Sequence, residues 1–90
     1  MRKLTFTTKF KKDLNRLKKQ GKDPEKLFVF VQLLLDEGTI PPQYKDHGLV
    51  GEWKHCRECH VDPDWLLIYS ITPEEIIAHR TGSHAELFGK

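Results

Sequence analysis

The stretch Asp62-Pro63-Asp64-Trp65-Leu66-Leu67-Ile68-Tyr69-Ser70-Ile71-Thr72-Pro73-Glu74 decides the fold. Trp65 to Tyr69 is continuously apolar and is bracketed by two turn-forming segments, Asp62-Pro63-Asp64 and Thr72-Pro73-Glu74. A short apolar run between turns fits a strand, and the lack of polar alternation fits a central strand covered on both faces. Residues 50–59 and Glu75 to Arg80 read as its neighbours, joined to it by short turns and therefore antiparallel.

Upstream, Lys3-Leu4-Thr5-Phe6-Thr7 alternates as a half-buried strand does. Thr7 or Thr8 then caps a helix running to about Gln20, with Phe10, Leu14 and Leu17 on one stripe, and Gly21 ends it. Asp23-Pro24-Glu25 opens a second helix with a cap, a first-turn proline and an acid at the positive dipole end. Leu27, Phe30, Val31 and Leu34 form its inner stripe; Phe28, Val29, Leu33 and Leu35 widen it, so burial on more than one side is expected. Gly38 and Pro41-Pro42 end this helix and start a loop through Gly48. After the last strand, Thr81-Gly82-Ser83 leads into a helical turn ending near Phe88. The expected class is α+β: an N-terminal strand and two helices on one face of a small, mainly antiparallel sheet, in a single domain spanning 1–90.

Net charge is +2, but its distribution is uneven. Residues 1–22 carry nine basic residues (Arg2, Lys3, Lys9, Lys11, Lys12, Arg16, Lys18, Lys19, Lys22) against Asp13 alone, a balance of +8. Residues 23–90 carry six basic and twelve acidic residues, a balance of −6. A cationic segment on an otherwise acidic chain suits an anionic partner such as nucleic acid, although a solvated helix face has the same composition. No apolar run is long enough to cross a bilayer, and no charged start with an apolar stretch and cleavage site is seen. The cytoplasm is the expected compartment.

Cys56-Arg57-Glu58-Cys59-His60 matches the C-x-x-C-H pattern of haem attachment, and His55, Cys56, Cys59 and His60 supply zinc-type donors. Both readings are set aside. The motif falls within an expected strand, where Cys56 and Cys59 have opposite parity, and no second cysteine pair exists. Two reduced cysteines and no cofactor are expected.

His47, His60 and His84 lie in the loop before the sheet, at a strand end and after the last strand, with Arg80 close by in sequence to His84. If they converge, they suit RNA strand cleavage. Histidine can take a proton from a ribose 2′-hydroxyl or give one to the departing 5′-oxygen, and arginine can hold the phosphate as its charge grows. Asp64 is expected beside His60 across the hairpin. Phe88 can stack on a base, or plug the core.

Tyr44-Lys45-Asp46-His47, Gly51-x-Trp53-Lys54, Arg57-x-x-His60-Val61-x-Pro63-Asp64-Trp65-Leu66-Leu67-Ile68-Tyr69 and Arg80-Thr81-Gly82-Ser83-His84-Ala85-x-Leu87-Phe88-Gly89 closely resemble the YafQ branch of the RelE/ParE toxin superfamily. The resemblance implies a toxin of a type II toxin–antitoxin system, a ribosome-dependent endoribonuclease cutting messenger RNA in the A site without a metal. It implies His47, His60, Asp64, Arg80 and His84 as catalytic residues, and Phe88, Arg80 and Trp65 as substrate contacts. His84 would be the general acid. The cationic residues Lys9, Lys11, Lys12, Arg16, Lys18 and Lys19 would meet ribosomal RNA. The implied partner is a DinJ-like antitoxin, with operator DNA bound only through the antitoxin complex and no membrane. The alternative is a ParE-like binder of DNA gyrase on the same scaffold, which would have no evident need for three histidines.

Overall fold

The computed structural model describes residues 2–36 and 40–89. In chain order these form β1 (Lys3–Phe6), α1 (Thr8–Lys19), α2 (Pro24–Leu35), a 3₁₀ turn (Pro42–Tyr44), β2 (His47–Gly48), a second 3₁₀ turn (Gly51–Trp53), β3 (Arg57–Asp62), β4 (Trp65–Ile71), β5 (Glu75–Gly82) and α3 (His84–Phe88). The five strands make one sheet in the order β1-β5-β4-β3-β2. β1 runs parallel to β5 and every other pairing is antiparallel. The expected α+β arrangement is present.

Local chemistry sets the helix ends. Thr7 Oγ1 accepts from the Phe10 N–H at 3.0 Å to start α1, and Gly21 follows it with φ +83°, a conformation that glycine adopts without cost. Asp23 Oδ1 accepts from the Glu25 N–H at 3.0 Å, with Pro24 in the first turn of α2. Gly38 lies outside the described residues. Val29 is 54% exposed, so α2 buries one face only, through Leu27, Phe30, Val31 and Leu34. None of the described helices is long and apolar enough to cross a membrane.

The core lies between the helices and one face of the sheet. Phe10, Leu17, Leu27, Phe30, Val31 and Leu34 pack against Cys59, Trp65, Leu67, Tyr69, Ile76 and Ala78. Leu66 and Ile68 alternate with these core residues along β4 and so point to the opposite face, yet both are fully buried. Neighbouring side chains on the second face therefore shield both residues from solvent, which explains the unbroken apolar run.

Residues 50–59 are not one strand. Gly51–Trp53 is a 3₁₀ turn, β3 begins at Arg57, and the short β2 falls in the expected loop. Apolar and polar residues alone could not separate these, because the break depends on backbone turns: Lys54 N–H donates to Gly51 O and Cys56 N–H to Trp53 O.

Candidate active site

Strand register lays out the second face. His47 is opposite Glu58, Glu58 opposite Ile68, and Ile68 opposite Arg80. In the adjacent row His60 is opposite Leu66, and Leu66 opposite Gly82. Directly opposed residues share a face, so buried Leu66 and Ile68 form a floor flanked by Glu58 and His60 on one side and Arg80 on the other. Arg80 belongs to this face because of an irregularity in β5. Tyr69 pairs with Ala78 while Ile68 pairs with Arg80, leaving His79 as an extra residue. In a regular strand Arg80 would follow Ile76 and Ala78 into the core; the bulge turns it outward.

Three imidazoles and a phenyl ring line up on this side of the molecule. Ring centroids are 6.4 Å apart for His47 and His60, 5.7 Å for His60 and His84, and 6.5 Å for His84 and Phe88. They come from β2, β3 and the two ends of α3. His47 is held by its loop: Asp46 accepts from Arg57 Nε at 2.6 Å and from the Tyr69 hydroxyl. Lys45, in the left-handed region at φ +48°, presents its carbonyl to His47 Nδ1 at 2.8 Å. A carbonyl only accepts, so Nδ1 carries the proton. Nε2 lies 3.6 Å from Glu58 Oε1, and His60 Nε2 lies 3.5 Å from the same oxygen. Glu58, with its side chain 7% exposed, is thus a nearly buried carboxylate between two imidazoles.

His84 opens α3, whose start is fixed by a reciprocal capping box between Ser83 and Glu86. Asp64 Oδ1 accepts from the His84 backbone N–H at 3.1 Å and from His84 Nδ1 at 2.9 Å. The bond from the His84 ring, more than any other influence, holds the Asp64 carboxyl below the usual carboxylate range. Asp64 is therefore the partner of His84 and not, as expected, of His60. Leu66 opposite Gly82 makes residue 64 level with residue 84, and the carboxylate beside His60 is Glu58. Sequence reasoning missed Glu58, although its spacing of two from His60 on one strand puts both on one face.

Arg80 makes a two-point contact with Asp13 of α1, Nε to Oδ2 at 2.6 Å and Nη2 to Oδ1 at 3.1 Å. It shares the second face with Glu58 by register, two strands away, roughly 10 Å across the sheet. Phe88 is half-buried beside His84 and is not part of the core. Trp65 must be corrected: it is 1% exposed, packs in the core and donates Nε1–H to Thr81 Oγ1 at 2.8 Å, so it supports β5 and cannot touch substrate. Lys9, Lys11, Lys12, Lys18 and Lys19 are exposed on α1. Arg16 is not a free cation among them, because it pairs with Asp13 at 2.8 Å and with Glu86 at 2.8 Å.

The C-x-x-C-H segment is split. Cys56 precedes β3, contrary to the expected strand, Cys59 is fully buried in the core, and His60 lies on the other face. Among the described residues, one group has metal-ligating potential: Glu58, His60 and His84 each offer an atom, all within 4.8 Å of one another. A hollow of about 600 Å³ beside His60, lined by Lys26, Gln43, Lys45 and Asp62, flanks the histidine row. A second of about 270 Å³ next to Asp64 is lined by Gln20, Lys22 and Ser83.

Comparison with known proteins agrees over nearly the full chain. The "mRNA interferase toxin YafQ" of Escherichia coli (strain K12) is 42% identical over 89 residues, covering 98% of this chain and 97% of that protein. The E. coli DinJ-YafQ complex contains a chain of the same fold, with TM-score 0.92 and 41% identity over 99% of this chain and 100% of that one. A metal-bound toxin from Helicobacter pylori superposes with TM-score 0.90 and 43% identity over 98% of this chain and 100% of that one. Residues 2–89 match the family model described as "Bacterial toxin of type II toxin-antitoxin system, YafQ". The chain belongs to the YafQ family of bacterial toxins of type II toxin–antitoxin systems.

Proposed function

We propose that this chain is an mRNA interferase that cuts messenger RNA in the ribosomal A site and thereby stops translation. The observation that carries the reading is the row His47, His60, His84 and Phe88 on one side of the molecule, with the Glu58 carboxylate inserted between the first two imidazoles. Its E. coli relative is named an mRNA interferase toxin.

The chemistry follows from those positions. The His47–Glu58–His60 group accepts the proton of the ribose 2′-hydroxyl, and the resulting O2′ attacks the adjacent phosphorus. The P–O5′ bond breaks, leaving a 2′,3′-cyclic phosphate, and His84, acting in its doubly protonated form with Nδ1–H kept on Asp64, gives its Nε2 proton to the departing 5′-oxygen. Asp64 holds His84 through Nδ1, so the outer nitrogen faces the substrate. Arg80 takes the negative charge that gathers on the non-bridging oxygens. Phe88 stacks on a neighbouring base. None of these steps calls for a metal.

Lys9, Lys11, Lys12, Lys18 and Lys19 supply an exposed cationic face that suits ribosomal RNA, in keeping with a ribosome-bound messenger as substrate and the cytoplasm as compartment. A DinJ-like antitoxin is the partner by analogy with the E. coli DinJ-YafQ complex, and operator DNA is bound only through that assembly.

The test is cleavage mapping on ribosomes programmed with a defined messenger. Wild type should cut at the A-site codon, and His84→Ala should lose roughly 10²–10⁴-fold in rate. Intact messenger with inhibited gyrase supercoiling would overturn the reading in favour of a gyrase binder.

A further inference from the structure

Asp13 is the lone acid among the nine basic residues of the first 22, and the proposed reaction gives it no role. It is nevertheless among the most buried polar groups of the described chain, 3% exposed on a helix that is otherwise cationic. Its two oxygens receive four donors. Oδ2 accepts from Arg80 Nε at 2.6 Å and from the Thr81 backbone N–H at 3.2 Å. Oδ1 accepts from Arg80 Nη2 at 3.1 Å and from Arg16 Nη1 at 2.8 Å. Burial works to raise its pKa, but the hydrogen bonds from Arg80, Arg16 and Thr81 together outweigh burial and hold the carboxyl below its ordinary value.

We propose that Asp13 is the positioning residue for Arg80, clamping one edge of the guanidinium so that Nη1 and the remaining Nη2 hydrogen stay directed to the scissile phosphate. This rests on the reading of Arg80 as the phosphate ligand. A guanidinium has five N–H groups in a rigid plane. A carboxylate bound side-on through Nε and Nη2 fixes that plane and leaves the other donors unpaired by Asp13. An unclamped arginine at the end of a strand has several rotamers, and ordering it would have to be repeated at every turnover. Thr81 N–H strengthens the arrangement, because it ties the same carboxylate to the backbone that carries Arg80.

Arg16 extends the clamp. Bound to Asp13, it also pairs with Glu86 Oε2 at 2.8 Å and donates to Thr81 O at 3.1 Å. The carboxylate of Asp13 thereby joins α1 both to the strand bearing Arg80 and to α3, which bears His84 and Phe88. One cross-link from the cationic helix sets the two halves of the reaction centre.

The experiment is a double-mutant cycle in single-turnover cleavage on programmed ribosomes, with binding and thermal unfolding measured on each variant. Asp13→Asn should slow the chemical step roughly 10- to 100-fold with ribosome affinity changed less than about two-fold. In an Arg80→Ala background the same change should have no further effect on rate, although it still lowers stability. Additive rate losses, or wild-type cleavage by Asp13→Asn, would overturn the proposal. Should Asp13→Asn not fold, Asp13→Glu keeps the charge while displacing the guanidinium by a methylene. It should be slow and well folded, and a wild-type rate there would also overturn the proposal. A readout independent of cleavage is the Arg80 Nε–H resonance. It should be sharp and slowly exchanging in wild type and lost to exchange in Asp13→Asn, whereas an unchanged resonance refutes the clamp. If wild type cleaves nothing, the nuclease reading fails while this resonance still decides the clamp.

Discussion

Asp64 accepts two hydrogen bonds from His84 on one oxygen, from the backbone N–H at 3.1 Å and from ring Nδ1 at 2.9 Å. The pair joins the β3–β4 turn to the first residue of α3 and sets which ring nitrogen faces outward. Asp64→Asn keeps an acceptor but loses the charge. Cleavage should fall about ten-fold, a part of what a general acid contributes, with little change in ribosome affinity. Nitrogen NMR of the His84 ring should show a proton on Nδ1 in wild type and a mixture of tautomers in the variant.

A divalent ion should inhibit this protein. Glu58, His60 and His84 present donor atoms within 4.8 Å of one another, and these are the groups proposed to move protons. An ion held there occupies the imidazole lone pairs and blocks both transfers. Stoichiometric zinc or copper should stop cleavage, and a chelator should restore it. Glu58→Ala removes one of the three donor groups, and ion binding measured by calorimetry should weaken. Stimulation by zinc would contradict the proton-transfer assignment.

Stability should fall in two stages as pH is lowered. His79, hydrogen-bonded to Ser70 Oγ at 2.9 Å, has its pKa lowered by burial, so the unfolded chain takes the proton first. Its contribution begins to be lost as pH drops through the ordinary histidine value of 6.5. Asp13, with its carboxyl held low in the folded state, contributes fully above the ordinary aspartate value of 3.8 and loses that contribution as pH falls below it. Urea midpoints against pH should show both stages; His79→Gln should flatten the upper one and Asp13→Asn the lower.

Gly82→Ala should be destabilising by roughly 1–3 kcal/mol. Gly82 has φ +154°, and a Cβ there would meet Arg16 Nη2 at 2.7 Å and Glu86 Oε1 at 3.0 Å. Arg16 cannot simply swing away without releasing Asp13 and Thr81 O. Thermal melting of the variant should show the loss, and a melt equal to wild type would mean that the Arg16–Glu86 pair is loosely held.

Sequence patterns carried much of this architecture. Phe10, Leu14 and Leu17 marked the inner stripe of α1, the caps at Thr7 and Asp23 were legible by type, and Trp65 to Tyr69 identified the doubly covered strand. All of these are local: a residue's neighbours within one turn or one pleat decide them. Legibility stopped where one residue of register mattered. Residues 50–59 have the composition of a single strand but form a 3₁₀ turn followed by β3, and Val29, apolar like its neighbours, lies outside the buried face of α2.

The candidate site shows the same division. Residue types announced imidazole and guanidinium chemistry at His47, His60, His84 and Arg80, because few side chains can exchange protons near neutrality or hold a phosphate. Their partners were not announced. The extra residue at His79 turns Arg80 out of the core, antiparallel counting from Leu66 and Gly82 gives Asp64 to His84, and β2 brings His47 opposite Glu58. Asp13 lies 67 positions from Arg80 along the chain. By itself the sequence determined which proton-exchanging and phosphate-binding side chains this chain carries and the elements that hold them. Which carboxylate meets which imidazole was decided by the tertiary structure, since hydrogen bonds depend on ångström-scale approach between strands and helices that no local pattern encodes.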